Sequence, residues 1–404
     1  MDNIFSRLIG QFPSKQLLLN AALSIRGCYK SKKIENIPFS WLITGPFGSD
    51  PSLAALCFAA TLLCTSKTNP GCNMCNECKT IIEKTNIAVH HIAAEGLHIT
   101  INEICQIIHK SSLKHTEKHC QVVIIDDINY LTEVSINVLL KILEEPPLST
   151  IFLLSASASN DIDIAISLRS RCCHVVLNTP PKEEITNLLM LENKNLKKAE
   201  AKWAAENSLG CINIAKQLIN NSKVRKQRKI TFRLLQDVSV LSHAFISVEK
   251  ILFLVEESVS EINLNLSKIE TEKLKKVFGI SKTKQIPAVP NRLMALALKN
   301  LEKKQKLRQS RLYLNHLDFL LLNLVGYLRD ILILSSGVDE NININNPDMK
   351  ETIKSIANIV PPSRLLSCIE IVLLCQSNIF NGVKPKLAIN AMIISIGNEL
   401  NNFN

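Results

Sequence analysis

The run Val122-Val123-Ile124-Ile125 passes without a polar break into Asp126-Asp127. Apolar side chains at every position leave a strand no solvent face, so this one must be buried, and such strands belong to parallel sheets covered by helices. Trp41–Thr44, Ile151–Ser155 and His174–Leu177 read as further strands, and helix-like periods separate them. Residues 1–178 therefore predict an α/β domain with a parallel sheet and helices on both faces. Pro180-Pro181 breaks that pattern. Residues 179–220 read as a small helical unit and residues 221–404 as all-helical, with loose polar insertions expected at Ser281–Asn291 and Asp339–Asp348.

The chain has 404 residues, 46% hydrophobic and 21% charged, with a formal charge of +11. That composition fits a soluble multidomain protein and admits nucleic-acid or acidic-protein partners. The N-terminus MDNIFSRLIGQF lacks a charged-then-apolar layout, and the longest uncharged apolar run, Ser52–Cys64, is too short for a bilayer. The expectation is a cytoplasmic protein with no membrane role. Of thirteen cysteines, Cys57, Cys105, Cys211, Cys368 and Cys375 fall in apolar helix-like segments and read as reduced core residues.

Three local patterns carry chemistry. First, Gly45-Pro-Phe-Gly48-Ser-Asp50-Pro51-Ser52 stands between a strand and a helix, where a phosphate-binding loop would end in Gly-Lys-Ser/Thr. Pro51 replaces the lysine and also lacks an N–H, while Asp50 adds negative charge. Taken alone, the segment reads as an ordinary Gly-Pro turn. Second, Asp126 stands where a strand-end acid holds magnesium and Asp127 where an acid polarises water; both read equally as solvated strand ends. Third, Cys64, Cys72, Cys75 and Cys78 give C-x7-C-x2-C-x2-C amid Asn, Gly and Pro residues that permit tight turns. Four thiolates so spaced can close tetrahedrally on a structural zinc.

The helix-like Asn137-Val-Leu-Leu-Lys-Ile-Leu-Glu144-Glu-Pro-Pro147 and the later Ser170-Arg171-Cys172 complete an order of elements. Loop, cysteines, acidic strand, N-x-L-L-K-x-L-E-E-P-P and S-R-C together resemble the bacterial clamp-loader AAA+ subunits of DNA polymerase III. The resemblance runs from Ile9-Gly10-Gln11, similar to an adenine-side segment, to about Lys216. It implies an AAA+ P-loop-type domain with a zinc module, a helical lid and an all-α C-terminal collar. Within that family, Asp50, Pro51 and Asn213, the last standing near a second-sensor arginine position, depart from the active pattern in the manner of the delta-prime type. The resemblance then implies a silent loop (Gly45, Gly48, Asp50, Pro51, Ser52), no ATP hydrolysis by this chain, and bound zinc. It also implies a trans-acting arginine, Arg171 in preference to Arg169, reaching ATP on a neighbour. The implied partners are gamma/tau and delta subunits, with the sliding clamp and primed DNA engaged through the complex. An ATP-hydrolysing gamma/tau-like subunit and a stand-alone zinc-containing DNA-binding protein are the alternatives. The basic run Lys223–Lys229 reads as a solvated helix face before a DNA contact. The stripe Leu317-Leu320-Leu321-Leu324-Leu328 reads as a subunit collar.

Overall fold

Helix α1 (Phe12–Ser31) precedes β1 (Ser40–Gly45), α2 (Pro51–Leu63), α3 (Asn76–Ile82), β2 (Val89–Ile92), β3 (Gln121–Ile125), α4 (Glu133–Glu144), β4 (Thr150–Ser157), α5 (Ile166–Arg169) and β5 (Cys173–Val176). The computed structural model describes residues 3–31, 38–93, 98–105, 120–147, 149–157, 166–193, 195–237, 241–278, 291–337 and 344–401. These divide into two compact units, residues 1–215 and 216–404.

In the first unit all five strands run parallel in the order β2-β3-β4-β1-β5. Their alternate side chains feed two cores. Trp41, Ile43, Val122, Ile124, Ile151 and Leu153 pack with α1 and α2 through Leu18, Ala22 and Phe58. Leu42, Val123, Ile125, Phe152 and Leu154 face the other way, onto Leu139, Leu143 and Leu168. Both faces are covered, as the unbroken apolar strands require. The four expected strands lie within two residues of the observed ones. The fifth, β2, went unread because Val89-His90-His91-Ile92 is polar at its centre; it is an edge strand with half-buried histidines. The sheet brings the carboxyl ends of β1, β3 and β4 side by side, where ligands of open α/β sheets bind. Helices α6 (Lys182–Glu192), α7 (Lys198–Glu206) and the start of α8 (Ile212–Asn220) complete this unit.

The second unit contains α9 (Ser222–Asp237), α10 (Leu241–Val277), α11 (Asn291–Ser335), α12 (Lys350–Ala357), α13 (Pro362–Phe380) and α14 (Pro385–Asn401). The leucine stripe of α11 is core within this unit: Leu317, Leu320, Leu321, Leu324 and Leu328 pack with Val248, Val255, Cys368 and Met392. The run Lys223–Lys229 is partly internal. Arg228 is 4% exposed, forks onto Asp348 at 2.6 and 2.9 Å, and lies over the Phe232 ring. Lys223 pairs with Glu257 and Glu261. The expected looseness of Asp339–Asp348 fails for its final residues. Asn346 is buried, with its backbone N–H and side-chain amide donating to the fully buried Asp330 carboxylate. Residues 338–343, and all but Asn291 of the other expected insertion, lie outside the described residues. Among the described residues, Pro362–Phe380 is one helix long and apolar enough to cross a membrane, although Arg364 and Glu370 interrupt it. Its Leu365, Cys368, Val372, Cys375 and Ile379 lie in the core of this unit.

Candidate functional site

Gly45 ends β1, and the chain turns through Ser49, whose N–H and hydroxyl both bond the Pro46 carbonyl at 3.1 and 2.7 Å. Asp50 takes a left-handed conformation (φ 58°) as the N-cap of α2 but accepts no capping hydrogen bond through its side chain. Pro51 follows at the first helical position, where its fixed φ suits a helix start and its missing N–H costs nothing internally. What favours the helix removes a phosphate donor. The turn is also filled from within its own unit. Gly48 (φ +90°) lies so close to Gly210-Cys211 that a Cβ on it would meet their backbone at 2.7–2.8 Å. Between Gly45 and Ser52 no side chain is cationic. The residue Asp50 is exposed overall, yet desolvation of its carboxyl, with the nearby Asp126 charge, pushes its pKa up. These features do not fit a phosphate cradle.

Asp126, just past β3, is buried and already engaged. Ser52 donates to one carboxylate oxygen at 2.7 Å and Ser155 to the other at 2.8 Å. His91, from β2, hydrogen-bonds the first oxygen, and Lys84 Nζ stands 3.7 Å from it and 3.1 Å from His91. Burial opposes ionisation, but the hydrogen bond and charge of His91, with the two hydroxyls, hold this carboxyl below the usual carboxylate range. Sequence reading missed His91 and Lys84. The histidine belongs to the unread edge strand, and the lysine sits in a left-handed turn beyond α3. Asp127 also adopts a left-handed conformation and begins a short turn.

The segment Ile9-Gly10-Gln11 is tied to the chain after β5. The Gln11 side chain accepts from the Asn178 N–H at 2.9 Å and donates to the Asn178 carbonyl. Asn213 is exposed in α8. Cys211, beside it, meets Gly48, and burial raises its thiol pKa. Cys105 is exposed, against the expectation of a core thiol; its neighbour Ile104 is the residue turned into the core.

Arg171 lies elsewhere on the sheet. It precedes β5, whose Cys173 pairs in register with Trp41 near the start of β1. The loop follows the far end of β1. The four residue steps from Cys173 to Leu177 alone span about 13 Å. The Arg171 guanidinium is exposed, bonds Glu144 at 2.5–2.7 Å and donates to the Ser167 carbonyl at 3.1 Å. Ser170 donates to the same carbonyl at 3.0 Å, and Cys172 packs beneath. Arg169 is half-buried.

The sulfurs of Cys64, Cys72, Cys75 and Cys78 all lie within 4.8 Å of one another and could hold a metal ion. Four sulfurs at about 2.3 Å from a tetrahedral centre stand about 3.8 Å apart. Cys64 is 3.7 Å from Cys72 and 3.8 Å from Cys75. The N–H groups of Cys75 and Cys78 donate to the sulfurs of Cys72 and Cys75. Burial opposes ionisation of Cys75, but N–H donors from Cys78 and Thr65 bring its thiol down to about 6. Surrounding contacts fix the loop. Arg26 donates to the carbonyls of Thr61, Leu62, Cys64 and Ser66 at 2.7–3.0 Å, closing the end of α2 where the first cysteine stands. Gly71 (φ +79°) fits where a Cβ would strike Asn3 and Thr61 at 2.7 Å.

Two protein families match this chain: "DNA polymerase III, delta subunit" over residues 25–181 and "DNA polymerase III, delta subunit, C terminal" over residues 291–397. DNA polymerase III subunit gamma of Buchnera aphidicola subsp. Schizaphis graminum is 26% identical over 277 residues, covering 64% of this chain and 74% of that protein. DNA polymerase III subunit delta' of Buchnera aphidicola subsp. Baizongia pistaciae is 32% identical over 143 residues, covering 33% and 42%. A solved gamma subunit-related protein of Thermotoga maritima covers 71% of this chain and 99% of its own at 16% identity, with a TM-score of 0.33.

Proposed function

We propose, starting from the DNA polymerase III clamp-loader family that these matches support, that this chain is a non-hydrolysing, delta-prime-like subunit. It assembles with gamma/tau-like and delta-like subunits, and through that complex acts on the sliding clamp and primed DNA. The observation that carries the reading is the state of the loop. Pro51 and Asp50 stand where phosphate needs a cation and an N–H, Gly210-Cys211 closes on Gly48, and Asp126 is committed to four neighbours. On this reading residues 1–178 are the AAA+ domain, 179–220 its lid and 221–404 the collar. Zinc, held by Cys64, Cys72, Cys75 and Cys78, is structural, because four thiolates leave no coordination position for chemistry. Arg171 serves ATP on a neighbouring subunit; its place at the opposite end of the strands keeps it from the loop of its own chain.

Isothermal calorimetry on the purified chain with ATP tests this. No binding below millimolar concentration is expected. Micromolar binding would instead support the second reading, an ATP-hydrolysing gamma/tau-like subunit, which the relative named gamma favours. In that case Lys84, close to Asp126, would be the cation at the site.

A further inference from the structure

The second unit carries most of the net charge of the protein in one place. Residues 260–311 hold thirteen Lys and Arg against four Asp and Glu, a balance of +9 out of the +11 of the whole chain. Residues 260–277 and 291–311, with eleven of these cations, form the distal halves of α10 and α11; residues 279–290 lie outside the described residues. The core of this unit takes its last residue from α10 at Val259 and its first fully buried one from α11 at Leu317. Beyond those points the two helices meet through polar side chains. Arg308 bonds Asn263 at 3.2 Å, Ser267 at 3.3 Å and also Glu270; Gln305 reaches Glu270 at 3.2 Å; Gln309 meets Asn263 at 3.4 Å. Partners advancing along α10 retreat along α11, so the helices are antiparallel and make an arm. From Ser260 to Phe278 it extends about 27 Å at 1.5 Å per residue.

Arg308 spends its charge inside the arm. Three exposed lysines of α11 lie away from that seam. Lys299, Lys303 and Lys306 recur at helical spacing along one stripe of α11, and that stripe lies opposite the side that carries Leu301, Gln305 and Arg308. Lys268 and Lys273 on α10 are exposed as well. Concentrating like charges on a thin arm is unfavourable by self-repulsion unless an anion answers it. A linear row of lysines matches a polyanion whose charges also come in a row, and duplex DNA offers one charge per about 1.7 Å of axis.

We infer that this helical arm is a sequence-independent binding site for a nucleic-acid phosphate backbone, with Lys299, Lys303 and Lys306 as its contact row. The inference stands apart from the reading of the loop. Fluorescence anisotropy of the full chain with a labelled 20-base-pair duplex, and separately a 20-nucleotide single strand, tests it across a salt series. Replacing Lys299, Lys303 and Lys306 together by Gln should weaken binding at least about tenfold near 0.1 M salt and reduce the log–log salt slope by about 2–3. The thermal midpoint should stay put, since the three side chains are exposed. Whichever oligonucleotide loses more identifies the form the arm prefers. The control triple Lys182, Lys197 and Lys198→Gln removes the same charge from the other unit. Equal weakening by both triples, an unchanged salt slope, or binding to phosphatidylglycerol vesicles without binding to either oligonucleotide would each overturn the inference.

Discussion

Two sites in the first unit begin from spacing patterns of similar clarity and end in opposite states. At the cysteine cluster, backbone N–H groups and Arg26 position four sulfurs that face one another, and the separations of Cys64 from Cys72 and Cys75 match the edges of a metal tetrahedron. At the loop, the polar groups face one another too, but they satisfy each other: hydroxyls, a histidine and a lysine close round Asp126. Four sulfurs brought together need a cation between them once they ionise. A carboxylate surrounded by donors needs nothing more. The difference teaches that spacing locates a site, whereas the unspent hydrogen-bonding and charge capacity of its atoms decides whether a ligand has anything to bind.

The cysteine half of that comparison should break most visibly. Cys75→Ser or Cys78→Ser should abolish a metal content expected at one zinc per chain by elemental analysis, because three thiolates hold zinc far more weakly than four. Structural zinc in small domains contributes about 10 kcal/mol or more, so residues 64–82 should become protease-sensitive while the sheet persists. Protein purified without chelator that contains no zinc would remove the contrast altogether.

The carboxylate half is weaker but measurable. Asp126→Ala strands a buried and a half-buried hydroxyl and a paired histidine, and should cost about 3 kcal/mol of stability by chemical denaturation. Because the folded state holds this carboxyl below its unfolded value, its contribution is complete above the usual carboxylate range. It fades as pH falls through the lower folded value. Stability of the wild type should therefore drop in that acid window, and Asp126→Ala should lose this component of the slope. An Asp126→Ala protein as stable as wild type would mean that the network is incidental.

Restoring the loop sharpens the comparison further. Asp50→Gly with Pro51→Lys returns the missing cation and N–H, yet the close approach of Gly210-Cys211 and the engaged Asp126 remain. Calorimetry should find at most millimolar ATP binding. Micromolar binding would show that two side chains alone had silenced the loop.

Much of this was legible in the residues. Unbroken apolar strands required a sheet covered on both faces, and the cysteine spacing matches the cluster seen. What escaped was non-local. His91 sits in a strand whose polar centre hides its period, and it meets Asp126 only because β2 pairs with β3. Cys105 looked apolar in sequence, but one residue of helix turns it about 100° from the buried Ile104. Arg228 read as part of a solvated charge run, since its partner Asp348 lies 120 residues away.

The smallest effect on the chain itself, and the most informative for its role, is expected from Arg171→Ala. The pair with Glu144 is exposed, with side chains 37% and 50% accessible, so its loss should cost about 0.5 kcal/mol or less. The isolated variant should melt within about 2 °C of wild type. In a reconstituted complex the outcome differs, because an arginine directed at phosphate on a neighbour contributes roughly 10³–10⁵ in rate at the site it serves. On the proposed reading one site faces this chain, so total ATPase should fall in part, while clamp loading, which would need the sites to act in concert, should fall further. Arg169→Ala, removing a half-buried side chain, should reverse the pattern: more loss of stability and less of ATPase. If Arg171→Ala leaves both activities of the complex intact, the ion pair with Glu144 is its whole role, and the strand end that carries it is structural.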